Sequence, residues 1–214
     1  TTFIDDFNWD RLSEYDKRSS PAVNTINGRL NVSGQGGISL KSIKFGNGIY
    51  ECITGWPEEQ ATFYPMFNVC CNRTVDDIGS HKGTAYTVRL HNTGVEFTKC
   101  LDGVQSLNTN YAMTHSTNNC KLTIIVDSPN IKVYVNDILC IDVTDPNPLP
   151  PGNVELASNG QSAWFTNCMI IAASSDATNG IAACIPPIGG GARYGVEESV
   201  YNTFTTENVN KGVY

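Results

Sequence analysis

The sequence lacks the long periodic segments from which helices and membrane spans form. No stretch of ten or more residues in this 214-residue chain has helical periodicity, and no long apolar run is present. Charged residues are sparse, at 16%, and the formal net charge is −7. The densest basic pair is Lys17–Arg18, whereas binding a phosphate backbone needs clustered Lys and Arg. These absences predict a soluble chain with neither a nucleic-acid partner nor a membrane span.

The eight cysteines lack the spacing of a zinc site. No C-x-x-C is present, and the histidines (His81, His91 and His115) lie near no cysteine pair. An even number of cysteines in a chain of this size favours four disulfides formed in an oxidising compartment. The pairing stays open, because eight cysteines allow about 105 connectivities, although vicinal Cys70 and Cys71 are expected to have different partners. The cysteines are Cys52, Cys70, Cys71, Cys100, Cys120, Cys140, Cys168 and Cys184.

Two N-glycosylation sequons point to the same compartment. They are Asn31-Val32-Ser33 and Asn72-Arg73-Thr74, and such sequons mark surface positions of secreted proteins. The sequence starts at Thr1 directly ahead of a predicted strand, as a mature chain does once its signal peptide is removed. We therefore expect an extracellular glycoprotein.

What the sequence does contain is alternation with a period of two, most clearly from Lys121 to Asp145. Three apolar runs there are separated by Ser128-Pro129-Asn130 and by Asn136-Asp137. Successive side chains of a strand point to opposite faces of a sheet, and both breaks consist of residues typical of turns. The segment therefore predicts a three-stranded antiparallel meander. Its apolar rows are Leu122, Ile124 and Val126, then Ile131, Val133 and Val135, then Leu139, Ile141 and Val143.

Further strands and turns extend this pattern along the chain. Asn27-Gly28 lies between strand-forming residues and predicts a hairpin with a type I′ turn. The segment 101–119 is polar and is expected to be a loop, and Pro146–Gly152 cannot be a central strand. Short strands separated by turns every 8–12 residues predict an all-β sandwich or barrel.

The character of the sequence changes after Ala172. Residues 173–191 are rich in Pro and Gly and contain Cys184, which indicates a linker, and residues 192–214 form a β-prone tail. Within the tail, Val200, Tyr201 and Phe204 are the candidates for assembly contacts. The tail has two explanations: it folds back onto its own domain, or it adds a strand to a neighbouring subunit.

Four segments together resemble the concanavalin A-like, laminin-G-like jelly-roll domains of many secreted proteins. The segments are F-I-D-D-F at Phe3–Phe7, N-G-R-L at Asn27–Leu30, the run Asp142–Gly152, and A-W-F-T-N at Ala163–Asn167. The resemblance covers residues 1–172 and implies an antiparallel β-sandwich whose first and last strands pair, setting Phe3–Phe7 beside Trp164–Ile170. It implies no single function, because the family includes lectins, hydrolases, lyases and structural domains.

The chemistry that enzymes of this fold use is not recognisable in the sequence. Retaining glycosidases hold two carboxylates about 5–5.5 Å apart, and the paired acids such as Glu58–Glu59 are adjacent in sequence, which directs them to opposite faces. His115 near Tyr111 is better explained as a pair of surface residues, and no G-x-S-x-G or H-E-x-x-H is present. Asp5–Asp6 and the pair Asp142 and Asp145 offer oxygen ligands for Ca²⁺, but strand ends and turn caps explain them better.

Two classes of function follow from these observations. The first is a non-catalytic structural protein that assembles into a homo-oligomer or filament through its tail. The alternative is a secreted glycan-binding, lectin-like domain or, less favoured, a polysaccharide lyase or glycoside hydrolase. For glycan binding the candidate residues are the aromatics in or beside loops, with Trp56, flanked by Gly55 and Pro57, expected to be more exposed than Trp164: Trp56, Tyr64, Tyr111 and Trp164.

Overall fold

A computed structural model describes residues 2–8, 12–18, 22–57, 65–72, 83–158, 160 and 162–173. These residues form fifteen strands and one 3-10 turn, Leu12–Glu14. No helix in this part of the chain has the length and apolar character needed to cross a membrane. The strands are β1 (Thr2–Asp5), β2 (Tyr15–Arg18), β3 (Ala22–Ile26), β4 (Arg29–Ser33), β5 (Gly36–Leu40), β6 (Gly48–Gly55), β7 (Pro65–Asn72), β8 (Thr84–His91), β9 (Gly94–Leu101), β10 (Val104–Ala112), β11 (Cys120–Asp127), β12 (Asn130–Val135), β13 (Ile138–Thr144), β14 (Asn153–Ser158) and β15 (Ser162–Ala172).

The strands build two antiparallel sheets that pack into a sandwich. The eight-stranded sheet has the order β13-β12-β11-β6-β15-β4-β3, and β1 also pairs with β15. The seven-stranded sheet has the order β10-β9-β8-β7-β14-β5-β2. This architecture confirms the predicted jelly-roll β-sandwich.

The meander predicted from alternation is present as β11, β12 and β13. Leu122 pairs with Val135, and Val133 pairs with Ile141. One detail of the prediction is wrong: Leu139 is 41% exposed and does not continue the buried row. A β-bulge opposite Val133 and Tyr134 shifts the register, so that Cys140 and Ile141 are both buried.

The predicted hairpin at Asn27–Gly28 and the predicted pairing of the first strand with the last are also present in the structure. Asn27 and Gly28 both have positive φ, +53° and +68°, as a type I′ turn requires. The first strand pairs with the last, with Phe3 opposite Ile170 and Asp5 opposite Cys168. The pairing implied by the resemblance is therefore confirmed.

The expected loop at 101–119 is largely wrong, because it contains the nine-residue strand β10. Most of its side chains are exposed, and β10 lies at the edge of the described seven-stranded sheet. A strand that faces water on both sides carries no alternation of apolar and polar residues, and its polar sequence therefore resembled a loop.

The core between the sheets is aromatic. Phe67 meets Phe165 edge to face with ring centroids 5.5 Å apart, and Tyr86 stacks on Phe97 at 5.8 Å. Because side chains alternate along β15, burial of Phe165 directs its neighbour Trp164 to the outer face of the eight-stranded sheet.

A buried ion pair anchors the proline-rich connection between β13 and β14. Lys99 Nζ lies 2.6 Å from Asp145 Oδ2 and also donates to the carbonyl of Asn147 at 2.5 Å. The hydroxyl of Tyr86 donates to the same carboxylate at 2.6 Å and accepts the backbone N–H of Leu149. Burial alone would raise the pKa of Asp145, but the hydrogen bonds from Lys99 and Tyr86 outweigh burial and the pKa is lowered.

Several predictions fall outside the described residues. These are the linker and tail assignments from residue 174 onward, together with Cys184, Val200, Tyr201, Phe204 and the glycan-binding candidate Tyr64. The division of the chain at residues 172 and 192 therefore stays a prediction.

Candidate functional site

Trp164 lies on the outer face of the eight-stranded sheet, across a glycine. It pairs with Gly55 of β6 on one side and with Asn31 of β4 on the other. A Cβ atom placed on Gly55 would lie only 2.3 Å from Cζ2 of the indole. The indole therefore rests directly on the β6 backbone, in space that only a glycine leaves free.

The guanidinium of Arg29 covers the same indole, with its Cζ 3.9 Å from the ring centroid. This is a cation–π distance, and the stack holds the planar guanidinium in place. Among the described residues Arg29 has no carboxylate within ion-pair distance. Its hydrogen-bonding edge is consequently available to a ligand.

The hairpin formed by β3 and β4 adds a pocket of about 600 Å³ beside this stack. Its lining offers amide groups, the guanidinium and one apolar side chain that is 55% exposed, Ile26. Asn31 Nδ2 donates to Asn24 Oδ1 at 3.3 Å, and Thr166 Oγ1 fixes the hairpin to β15 by donating to the Gly28 carbonyl at 2.7 Å. The lining residues are Asn24, Ile26, Asn27, Arg29 and Asn31.

A second polar feature crosses the outer face of the seven-stranded sheet as one row of directly paired residues. The row runs over all seven strands, and each member is the cross-strand partner of the next. In order it contains Asn108, Thr98, Thr87, Asn68, Glu155, Ser39 and Asp16.

The centre of this row is closed to solvent. Thr87 Oγ1 donates to Asn68 Oδ1 at 2.7 Å, and Asn68 Nδ2 donates to Glu155 Oε2 at 3.1 Å. The hydroxyls of Ser39 and Thr98 are buried and have no hydrogen-bond partner within the described residues. Glu155 is flanked in the row by Ser39 of β5 and Asn68 of β7. Of the two polar surfaces, the pocket beside Trp164 is the one open to a ligand.

The aromatic residues predicted to bind glycan differ in position and exposure in the structure. Trp164 contacts Arg29, which lines the pocket, and Tyr111 is 38% exposed on the edge strand β10. The expectation that Trp56 is exposed is wrong: the side chain is 3% exposed and its Nε1 donates to Asn92 Oδ1 at 2.8 Å. Its ring also packs against His115, whose Nε2 lies 3.3 Å from the Gly94 carbonyl oxygen.

The sequence analysis missed the partners of Trp164. Alternation on either side of the Asn27–Gly28 turn already places Asn24, Ile26, Arg29 and Asn31 on one face of the hairpin. Their position beside Trp164 depends on the pairing of β4 with β15, which the local sequence does not specify.

The seven described cysteines are all buried. Burial raises the pKa of both Cys70 and Cys120 to about 12, so neither has the character of a reactive thiolate. Cys70 belongs to the main core and neighbouring Cys71 does not. The predicted set of four disulfides stays a prediction.

The aspartates considered for Ca²⁺ have other partners. Asp5 accepts hydrogen bonds from the Phe7 N–H and the Tyr15 hydroxyl, both at 2.8 Å, and Asp142 lies 3.7 Å from Lys132. No group of three or more potential ligands able to hold a metal ion occurs within the described ranges.

Comparison with solved structures identifies the fold. The carbohydrate-binding module CBM66 from Bacillus subtilis superposes with a TM-score of 0.58 at 17% identity, over 72% of this chain and 93% of that one. The β-glucanase of Bacillus licheniformis gives 0.64 at 14% identity, over 81% and 98%. A Bacillus subtilis protein of unknown function with a galectin-like fold gives 0.62 at 10% identity, over 78% and 94%.

The chain has a concanavalin A-like jelly-roll fold. No family model and no curated protein sequence matches it. At these identities the likeness establishes the fold alone, and the function has to be argued from the site.

Proposed function

We propose that this protein binds carbohydrate in the pocket beside Trp164. The proposal is supported by fold neighbours that include a carbohydrate-binding module, and it corresponds to the glycan-binding alternative of the sequence analysis. The observation that carries it is an open pocket of about 600 Å³ lined by three asparagines and by Arg29, whose guanidinium is held against Trp164.

This arrangement offers what a sugar ring requires. Trp164 holds the guanidinium of Arg29 in place, and a pyranose or furanose ring would meet the outer side of that guanidinium and the exposed side chain of Ile26. Asn31 Nδ2 already donates to Asn24 Oδ1 and to the Arg29 carbonyl, which leaves the N–H groups of Asn24 as donors and the carbonyl of Asn31 as an acceptor for hydroxyl groups. Ligand sites commonly combine apolar surface with a few fixed polar groups in this way.

The test is binding to a glycan array, followed by titration of any ligand found. We expect Trp164→Ala and Arg29→Ala each to weaken binding at least about tenfold, the loss of one well-placed contact. Tyr111→Ala and Lys132→Ala, both away from the pocket, serve as matched controls and should bind as the wild type does. An array on which the wild type is silent, or pocket variants that bind normally, would refute the proposal.

The edge strand β10 supports a second candidate function, assembly into a homopolymer. Its nine residues contain no charge and no proline, the features that natural edge strands use to block pairing with another chain. Apolar side chains are exposed along this side of the molecule, including Val104 at 68% and Ile138 at 51%. We propose that this edge accepts the β-prone tail segment containing Val200, Tyr201 and Phe204 from a second copy.

This second proposal is tested by measuring the native mass of the full-length protein and of its variants. Removing residues 186–214 should convert a polymer into monomers, and Asn108→Lys on β10 should do the same because strand addition would bury the new charge. Full-length protein that is already monomeric, or a polymer that survives both changes, would exclude strand exchange at β10.

A further inference from the structure

Two buried cysteines meet at the centre of the eight-stranded sheet. Cys52 of β6 and Cys168 of β15 are 0% and 2% exposed, and their Sγ atoms are 2.7 Å apart. This separation lies well inside the contact distance of two unbonded sulfur atoms. It is about 0.7 Å longer than the S–S bond of a disulfide, which is about 2.05 Å.

A β-bulge produces this approach. Thr166 pairs with Ile53 and Met169 pairs with Glu51, so Asn167 and Cys168 together face the single residue Cys52. Asn167 takes up the extra residue with a φ of +49°, in the left-handed region. The irregularity brings the two thiols together.

We propose that Cys52 and Cys168 are joined by a disulfide in the mature protein. The bond forms by exchange with an external disulfide, such as oxidised glutathione. One cysteine thiolate attacks it to give a mixed disulfide and release one thiol, and the second cysteine then displaces the other thiol. Two cysteine thiols are oxidised, one external disulfide is reduced to two thiols, and two S–H bonds are replaced by one S–S bond.

The proposed disulfide would affect both the stability of the fold and the pairing of two central strands. It closes a loop of 116 residues, and long loops lose the most unfolded-state entropy when they are cross-linked. It also fixes β6 to β15, the two strands that carry Gly55 and Trp164. Burial raises the pKa of Cys168, so the exchange takes place before the core closes around it.

The pairing is tested directly by peptide mapping of unreduced, alkylated protein. Cleavage after Glu and Asp releases residues 52–58 and 156–176, each of which contains a single cysteine. We expect these two peptides as one cross-linked species. The matched control is the same digest after reduction, in which both peptides are alkylated separately. Separate alkylated peptides in the unreduced sample, both as purified and after refolding with oxidised glutathione, would overturn the proposal.

Thermal unfolding gives a second, independent readout. We expect oxidised wild type to melt roughly 10 °C or more above Cys52→Ala/Cys168→Ala, given a loop of this length in a chain of this size. Adding a reductant should narrow the difference between the two proteins. A difference that is the same with and without reductant would show that the pair contributes packing only.

Discussion

At the scale of single residues, Gly55 sets the height at which Trp164 lies over the sheet. A methyl group at position 55 would collide with the indole, 2.3 Å from Cζ2, and would push it away from the β6 backbone. The glycine does not have a positive φ, so the backbone tolerates alanine.

Gly55→Ala therefore tests the site without removing any of its chemistry. We expect glycan binding to weaken at least about fivefold while the stability of the fold changes by no more than about 1 kcal/mol, because the indole lies on the outer face of the sheet, only partly buried, and can tilt outward. Titration and chemical denaturation of the same preparation measure the two effects. Unchanged affinity would mean that the indole does not position the ligand.

Lys99 is the residue whose loss should cost the fold most stability. Lys99→Met leaves the carboxylate of Asp145 buried without its cation, and breaking a buried pair in this way typically costs about 3–5 kcal/mol. Urea denaturation at pH 7 measures the loss. Lys132→Met is the matched control: its partner Asp142 lies 3.7 Å away, both side chains are about half exposed, and the expected cost is below about 1 kcal/mol.

The same pair predicts the response to acid. The pKa of Asp145 is lowered in the folded state, so its contribution to stability is complete above the ordinary carboxyl pKa and is lost as the pH falls through the lowered one. The wild type should therefore lose stability below about pH 4. Lys99→Met should lose less over that range, and equal losses in the two proteins would contradict this assignment.

At the scale of elements, β4 carries both a wall of the pocket and a sequon. Asn31 lines the pocket and pairs directly with Trp164, so a glycan attached to Asn31 would emerge into the space where a free sugar is expected to bind. If the proposed site is correct, a glycan on Asn31 and an external glycan would therefore compete for the same space.

Ser33→Ala removes this sequon and keeps Asn31. Produced in a glycosylating host, this variant should bind glycan at least about tenfold more tightly than wild type that carries a sugar on Asn31, because the pocket is no longer filled. Asn72→Gln removes the other sequon, at the end of β7, and should leave binding unchanged. Equal affinity of Ser33→Ala and glycosylated wild type would show that the pocket is not the binding site.

Elements with one buried face could be predicted from the sequence, and the others could not. The meander and the Asn27–Gly28 hairpin follow from alternation and turn chemistry because neighbouring residues contain the whole signal. Strand β10 was not predicted because both of its faces are largely polar and exposed. Leu139 was predicted to be buried because the alternation of apolar residues does not reveal a β-bulge. Trp56 was expected at the surface from its flanking Gly and Pro, but its hydrogen bond to Asn92 joins positions 36 residues apart.

At the scale of the whole molecule, the site depends on long-range pairing that no local pattern encodes. Arg29 and Trp164 are stacked although 135 residues separate them, and the polar row on the other sheet draws on seven strands. The fold class could be predicted from the number and spacing of the strands alone. Predicting the pocket would have required the order of the strands within the sheet, so the sequence analysis identified Trp164 but not the residues around it.

The position of β15 also has a consequence for how this protein is made. It pairs with β1, β4 and β6, so until residues 162–172 have been synthesised β1 lacks its described partner, and β4 and β6 each lack one of their two neighbours. Until the ribosome has released that segment, the apolar faces of the early strands have no complete sheet to join. Such high contact order makes folding slow, on the scale of milliseconds to seconds. Nascent chains that stop short of β15 should consequently depend on chaperones and be the main source of aggregates.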